Sequence, residues 1–245
     1  MRRIDQQSMG RFISTKEHES TMQDHSDLMD KIYRWQSWIY DVTRKPYLLG
    51  RDVLLAELQV HRPPTILEIG CGTGRNLIIA ARQCPEARLV GVDISRVMLS
   101  VAHRSIEKAG LHHRINLLQV DASEISSTFD NLRTFDGIFF SYSLSMIPNW
   151  RKSVASALDI LAEGGVLAIV DFSDQAGWPR YCRYLLNSWL KLFHVSARNS
   201  LGSHIEILAK QQGYYVQRKQ LYRGYAQLIM VKRPRLAGAL QMSHS

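Results

Sequence analysis

The sequence predicts an α/β fold: a seven-stranded, mostly parallel sheet with helices on both faces and an antiparallel terminal hairpin. Three observations predict it. Short apolar runs alternate with helical patterns through residues 65–170, as a parallel sheet covered on both faces requires. The first run ends in a glycine loop, Gly70-Cys71-Gly72-Thr73-Gly74, followed by a helical pattern. Two further apolar runs close the chain with only a tight connection, Arg223-Gly224, between them.

The elements follow in order. Residues 1–25 are polar and read as a disordered tail; 236–245 form a second tail. Between them, residues 26–235 read as one domain: a helical cap at 26–60, a core at 61–172, a helical insertion at 173–203, and a helix with the hairpin at 204–235. In the cap, Leu28, Ile32, Trp35 and Ile39 recur on one helical face, and Pro46 limits that helix. A second helix is expected at 48–58, and Arg62-Pro63-Pro64 marks the boundary to the core. Strands are expected at 65–69, 88–93, 115–121, 135–141, 166–170, 215–222 and 226–232. Helices are expected at 76–82, 97–109 (ended by Gly110) and 152–161.

Composition narrows the function. The chain has 245 residues, is 45% apolar and carries a net charge of +9. No run reaches the roughly 18 apolar residues of a membrane span, and no apolar stretch follows the basic N-terminus as in a secretory signal. Three cysteines, Cys71, Cys84 and Cys182, are odd in number and have no metal-binding spacing, so a reducing, cytoplasmic setting without metal is expected. The charge is uneven. Residues 178–245 hold 11 bases against one acid, Glu206, and the rest of the chain is close to neutral. An anionic partner for the last quarter is implied.

Ligands of such sheets sit at the carboxyl ends of the strands. There the sequence places the glycine loop and three acids: Glu68 before the loop, Asp93 ending the second strand and Asp121 ending the third. Glycines let a ligand approach the backbone closely. A dinucleotide fingerprint would need glycine at position 75, where Arg75 stands. A carboxylate next to the loop also repels phosphate and suits a cationic group. Asp93 can accept from ribose hydroxyls, and Asp121 from an adenine amino group.

This pattern resembles the class I methyltransferases that use S-adenosylmethionine, whose fold is Rossmann-like. The resemblance implies Glu68, Gly70, Cys71, Gly72 and Gly74 around the methionine end, Asp93 and Ile94 at the ribose, Asp121 and Ala122 at the adenine, and Ser141 beside them. Leu161-Ala162-Glu163-Gly164-Gly165 is similar to that family's turn before the fifth strand.

The acceptor must be read from the segments laid over the core. In the insertion, Trp178, Tyr181, Leu185, Trp189 and Leu192 follow helical spacing, with Arg180, Arg183, Asn187 and Lys191 along another face. That combination suits a helix lying on anionic lipid, with Trp178, Arg180, Arg183, Trp189 and Lys191 facing the membrane, better than it suits nucleic acid. Residues 29–52, 141–150 and 179–198 together resemble the N-methyltransferase of bacterial betaine-lipid synthesis, with departures at Pro46 and Asn149. The likeness implies trimethylation of the amine of diacylglyceryl homoserine by a protein peripherally bound to an anionic membrane, with a separate enzyme supplying that lipid. Three in-line attacks of the amine on the methyl sulfonium would move charge from sulfur to nitrogen, leaving the protein mainly to position the reactants. Ring faces attract quaternary ammonium, so Tyr40 and Tyr142 are expected at the reacting nitrogen, Tyr33 and Tyr47 around it, and Arg51 at a carboxylate. A phosphatidylethanolamine N-methyltransferase, a quinone-ring methyltransferase and a non-catalytic, cofactor-binding membrane adaptor share many of these features.

Overall fold

A computed structural model describes residues 48–129, 134–191, 198 and 200–235. The expected cap helix, with Tyr33, Tyr40, Pro46 and Tyr47, lies outside the described residues. The chain enters through helix α1 (Arg51–Val60), then strand β1 (Thr65–Ile69), α2 (Arg75–Gln83), β2 (Arg88–Asp93), α3 (Arg96–Lys108) and β3 (Ile115–Gln119). A 3-10 turn (Ala122–Glu124) and the short α4 (Ile125–Thr128) lead to β4 (Phe135–Ser141), α5 (Trp150–Asp159) and β5 (Leu161–Phe172). The remainder is α6 (Arg180–Lys191), α7 (Leu201–Gln211), β6 (Tyr215–Leu221) and β7 (Ala226–Lys232).

The seven strands lie in the order β3-β2-β1-β4-β5-β7-β6. The first five are parallel, and β7 runs antiparallel to both β5 and β6. The order reverses between β1 and β4, which pair through Ile66–Gly137 to Ile69–Phe140. That switch point opens a crevice at the carboxyl edge of the sheet.

Alternation along the strands builds two cores. Ile66, Leu89, Phe139, Ala168, Val170 and Leu228 point to one face, under α1, α2 and α3. Leu67, Ile69, Ile138, Phe140, Leu167 and Ile229 point to the other, against Trp150, Val154 and Ile205 of α5 and α7. Full burial of each such side chain contributes about 1.5–3 kcal/mol. These two layers hold the strand ends, and so the crevice, in place.

Several boundaries differ from the sequence expectation. Helix α1 starts at Arg51 because Gly50 adopts φ 97°, a left-handed entry that no ordinary residue takes easily. Strand β3 stops at Gln119, two residues short of Asp121. Helix α5 starts at Trp150 and ends at Asp159, and β5 begins at Leu161, not Val166. Gly164 and Gly165 lie within that strand, at a register shift opposite Phe135 and Gly137, where Arg233 donates to the Leu161 carbonyl at 2.7 Å. Residues 162–165 lie opposite Asp136 alone and Gly164 takes φ 75°, so the expected turn is present as an irregularity inside the strand. Helix α7 starts at Leu201, ahead of the expected 204. Among the described residues no helix is long and apolar enough to cross a membrane.

One arginine closes the end of α2. Arg114 donates to the carbonyls of Ala81 and Pro85, each at 2.6 Å, of Cys84 at 3.1 Å and of Ala87 at 3.3 Å. These include carbonyls that the helix end leaves unsatisfied. Close packing of α2 on the sheet depends on Gly91 of β2, where a Cβ would lie 2.4 Å from Leu77 Cδ1 and 3.0 Å from Cys71 Sγ. Gly91→Ala should therefore lower unfolding stability by about 1–3 kcal/mol, the usual cost of overpacking, as read by urea denaturation.

Candidate functional site

The glycine loop fills the space between β1 and α2, pinned to β2 at its start. Gly70 and Cys71 donate their N–H groups to the Val92 carbonyl at 2.8 and 3.0 Å. Gly70 sits at φ 74°, and a Cβ there would lie 2.5 Å from Ser143 Cβ. Gly74 sits at φ 75°, 3.1 Å from Ala102 Cβ by the same construction, and starts α2. The third glycine thus falls one position early for a dinucleotide loop because it lets α2 pack against α3.

Glu68 is the centre of the crevice's chemistry. It is buried at the end of β1. Asn76, in the first turn of α2, donates to its Oε1 at 2.8 Å, whereas its Oε2 is buried without a hydrogen-bond partner. Burial pushes the carboxyl up to about 8; the Asn76 hydrogen bond opposes this, the nearby Asp93 charge adds to it, and Arg51 and the Leu77 N–H reduce it. Asn76 Oδ1 and Ser141 Oγ are likewise buried without partners. Buried polar groups of native proteins are nearly all hydrogen-bonded, so three orphaned acceptor oxygens at one crevice mark the place of a ligand. A ligand with positive charge and donor groups fits them.

Asp93 closes β2 as expected. It accepts from Gly72 N–H at 2.8 Å and from Ser95 N–H at 3.0 Å, tying the glycine loop to the start of α3. Ile94 follows it, its carbonyl held by Gln119 Nε2 at 3.0 Å. Asp121 lies beyond β3 and caps the 3-10 turn, accepting from Ser123 N–H at 2.7 Å, so Ala122 opens that turn. Cys71 borders the site through its backbone alone: its side chain is buried, and burial holds the thiol well above its usual range.

Two expected contacts change character. Tyr142, expected to face the acceptor, is instead 2% exposed, and its hydroxyl donates to the Leu49 carbonyl. Its ring packs edge-on against Phe172 at 4.7 Å. Folding uses this tyrosine to fix the residues before α1, which positions the buried Arg51, whose Nε donates to the Leu48 carbonyl at 3.1 Å. Trp178, expected to project outward, is half-buried, tilted on Tyr225 at 5.4 Å, with Nε1 donating to the Tyr222 carbonyl at 3.0 Å. Arg180 is exposed and Arg183 half-buried on α6. The side chains of Trp189 and Lys191 lie outside the described residues.

Sequence reasoning missed Asn76 and the contacts that hold the segment after β4. Ser143 Oγ donates to the Ile69 carbonyl at 2.8 Å, and Ser145 N–H to Asp171 Oδ2 at 2.9 Å. Asp171 is buried in β5, and burial raises its carboxyl to about 6 against the N–H groups of Phe172 and Ser145. With Tyr142, these contacts fasten residues 142–145 to β1, β5 and the segment before α1. An acid followed by an aromatic at the end of the fifth strand was the available signal.

Residues 66–165 match the family model described as a methyltransferase domain. Among curated proteins, the demethylmenaquinone methyltransferase of Listeria welshimeri is 27% identical over 162 residues, 63% of this chain and 67% of its own length. That of Bacteroides fragilis is 28% identical over 122 residues, 50% of this chain and 49% of its own. Among solved structures, the plantazolicin methyltransferase BamL, in complex with a triazolic desmethylPZN analog and SAH, covers 89% of this chain and 99% of its own, with TM-score 0.63 and 14% identity. The S-adenosylmethionine-dependent methyltransferase SibL superimposes with TM-score 0.61 at 23% identity, covering 76% of this chain. An O-methyltransferase family protein from Burkholderia thailandensis gives 0.60 at 18%, covering 86%. The chain spans 55% of SibL and 60% of the Burkholderia chain.

The electrostatics of Glu68 set a pH dependence. Its folded carboxyl is raised from 4.5 to about 8, so its contribution to stability is complete below pH 4.5 and lost as pH rises through about 8. A cationic ligand takes the ionised form, so its affinity should rise between pH 6 and 8, level off above, and become flat in Glu68→Gln, as read by calorimetry.

Proposed function

We propose that this chain is a class I S-adenosylmethionine-dependent methyltransferase, a reading supported by the domain match over residues 66–165 and the sheet order, that its acceptor is the amine of diacylglyceryl homoserine and that its product is the trimethylated betaine lipid. Bound S-adenosylmethionine supplies an electrophilic methyl group on a sulfonium. In this reading Glu68 holds the cationic methionine end, Asp93 and Ile94 the ribose, Asp121 and Ala122 the adenine, and Ser141 lies beside them.

The observation that carries the charge chemistry is the unanswered Oε2 of Glu68. A buried acid here opposes an anionic ligand and welcomes a cationic one. The acceptor side rests on the resemblance of residues 29–52, 141–150 and 179–198 to the betaine-lipid enzyme. It rests also on the aromatic and basic character of α6, which follows β5 at the carboxyl edge. The lipid amine attacks as the neutral base, its proton released to solvent beforehand. Each of the first two methylations leaves an ammonium that gives up a proton to solvent before the next attack, so Arg51 and the tyrosines are asked to orient the lipid. Tyr33, Tyr40 and Tyr47 are assigned to the aromatic surround. Tyr142 is assigned to positioning, because its hydroxyl is committed to Leu49. The protein would work at an anionic membrane surface, with a separate enzyme forming the homoserine lipid.

The names of the curated relatives favour a second reading, methylation of demethylmenaquinone. A ring carbon becomes nucleophilic once a neighbouring hydroxyl loses its proton, which asks for a base. Asp171 is the buried acid nearest in kind, yet both its oxygens accept backbone N–H groups.

Offering diacylglyceryl homoserine, phosphatidylethanolamine and demethylmenaquinone side by side, with products read by mass, separates these readings. The homoserine lipid should carry one, two and then three added methyls while the other two stay unchanged. Methylation of demethylmenaquinone alone would establish the second reading in its place.

A further inference from the structure

The β6–β7 turn has an expensive backbone. Tyr222, Arg223 and Gly224 are consecutive at φ 51°, 58° and 80°. A turn of this kind normally takes Gly, Asn or Asp, because other side chains crowd the backbone in the left-handed region. Here two of the positions hold a large aromatic and a cation. Gln175, whose N–H donates to the Gly224 carbonyl at 2.8 Å, is also at positive φ, 53°. Strain retained where a simpler residue would relieve it points to a use for the side chains.

Neighbouring segments fix the turn's backbone, while the side chains of Tyr222 and Arg223 stay exposed. Gly177 N–H donates to the Arg223 carbonyl at 3.2 Å, and the Trp178 indole N–H to the Tyr222 carbonyl at 3.0 Å. Between the two segments lies an open cavity of about 410 Å³, lined by Gly177, Trp178, Pro179, Tyr222 and Arg223. Tyr222 is 48% exposed at its rim, and Tyr181, Tyr184 and Leu185 of α6 are 69%, 73% and 64% exposed. Residues 175–205 contain no Asp or Glu, while Arg180, Arg183, Lys191 and Arg198 fall within them. One acid, Asp174, stands beside the turn, its Oδ1 3.3 Å from where a Cβ of Gly224 would lie and accepting from Ala176 N–H at 3.1 Å.

We propose that this turn and the start of α6 form one docking face for anionic phospholipid headgroups at a bilayer surface, with Arg223 over the cavity as its cation. A guanidinium pairs with phosphate through parallel hydrogen bonds, and exposed tyrosines and leucine suit the boundary between headgroups and acyl chains. Nucleic acid would use the cations and rings but would leave Leu185 without a role. The inference rests on the membrane-surface reading above and names the face that would serve it, but it does not depend on which acceptor is methylated.

The test is cosedimentation of the full chain with vesicles of phosphatidylcholine alone and of phosphatidylcholine mixed with phosphatidylglycerol. The wild type should prefer the anionic vesicles and release them at high salt. Arg223→Gly suits the backbone and removes the cation, so it should melt no lower than wild type while binding anionic vesicles about fivefold more weakly, the share of one basic residue near such a surface. Arg223→Gln, which keeps a side chain at that position, should show the same loss. Wild-type binding by both variants, equal binding to both vesicle types, or a preference for a single-stranded oligonucleotide over anionic vesicles would overturn the proposal. Turnover of detergent-dispersed diacylglyceryl homoserine, measured alongside, should be unchanged in both variants. Its absence in the wild type would count against the reaction and leave the vesicle result standing.

Discussion

Glu68 lies at the end of a central strand with Oε1 held by Asn76 and Oε2 buried without a hydrogen-bond partner, and much of the carboxyl edge is arranged around keeping it there. The strand before it is buried between two apolar layers, so the carboxyl cannot reach water by moving its backbone. Isolated, such a group stays protonated. Brought against a cation, it gains a partner in a medium where the attraction is weakly screened. The site thus discriminates by charge before it discriminates by shape.

The rest of the crevice is built by contacts that fix neighbouring segments to one another. Asp93 joins the glycine loop to the start of α3 through two backbone N–H groups. Across the switch point, Ser143 is seated where Gly70 lacks a Cβ, and Ser145 is held by Asp171 of β5. Tyr142 extends the same fastening to the residues before α1. Positioning of bound reactants asks for such rigidity, and here it comes from short contacts between strand ends.

The parallel strands and the glycine loop are legible in the sequence because few other folds combine short apolar runs with clustered glycines at a strand end. Glu68 and Asp93 are legible because strand ends are where this fold presents side chains. Asn76 is not, since its partner stands eight residues away and only the turn into α2 brings them together. The roles of Tyr142 and Trp178 escape the sequence for a related reason: an aromatic residue beside a site has the same signature whether its ring faces ligand or core. Strand β5 reads short because the chain does turn at Gly164, φ 75°, while pairing of Leu161 with Phe135 continues the ladder before that turn. The strain at Tyr222 and Arg223 leaves no mark in composition at all.

The central claim is that Glu68 is protonated in the free protein at neutral pH and ionised by its ligand. Carbon-13 NMR of labelled glutamate carboxyls, with Glu68→Gln to assign the resonance, observes this directly. A Glu68 signal at the protonated position at pH 7 that moves to the carboxylate position on adding S-adenosylmethionine is the predicted result. A carboxylate signal already present in the free protein, or one that stays protonated after the cofactor binds, would contradict it.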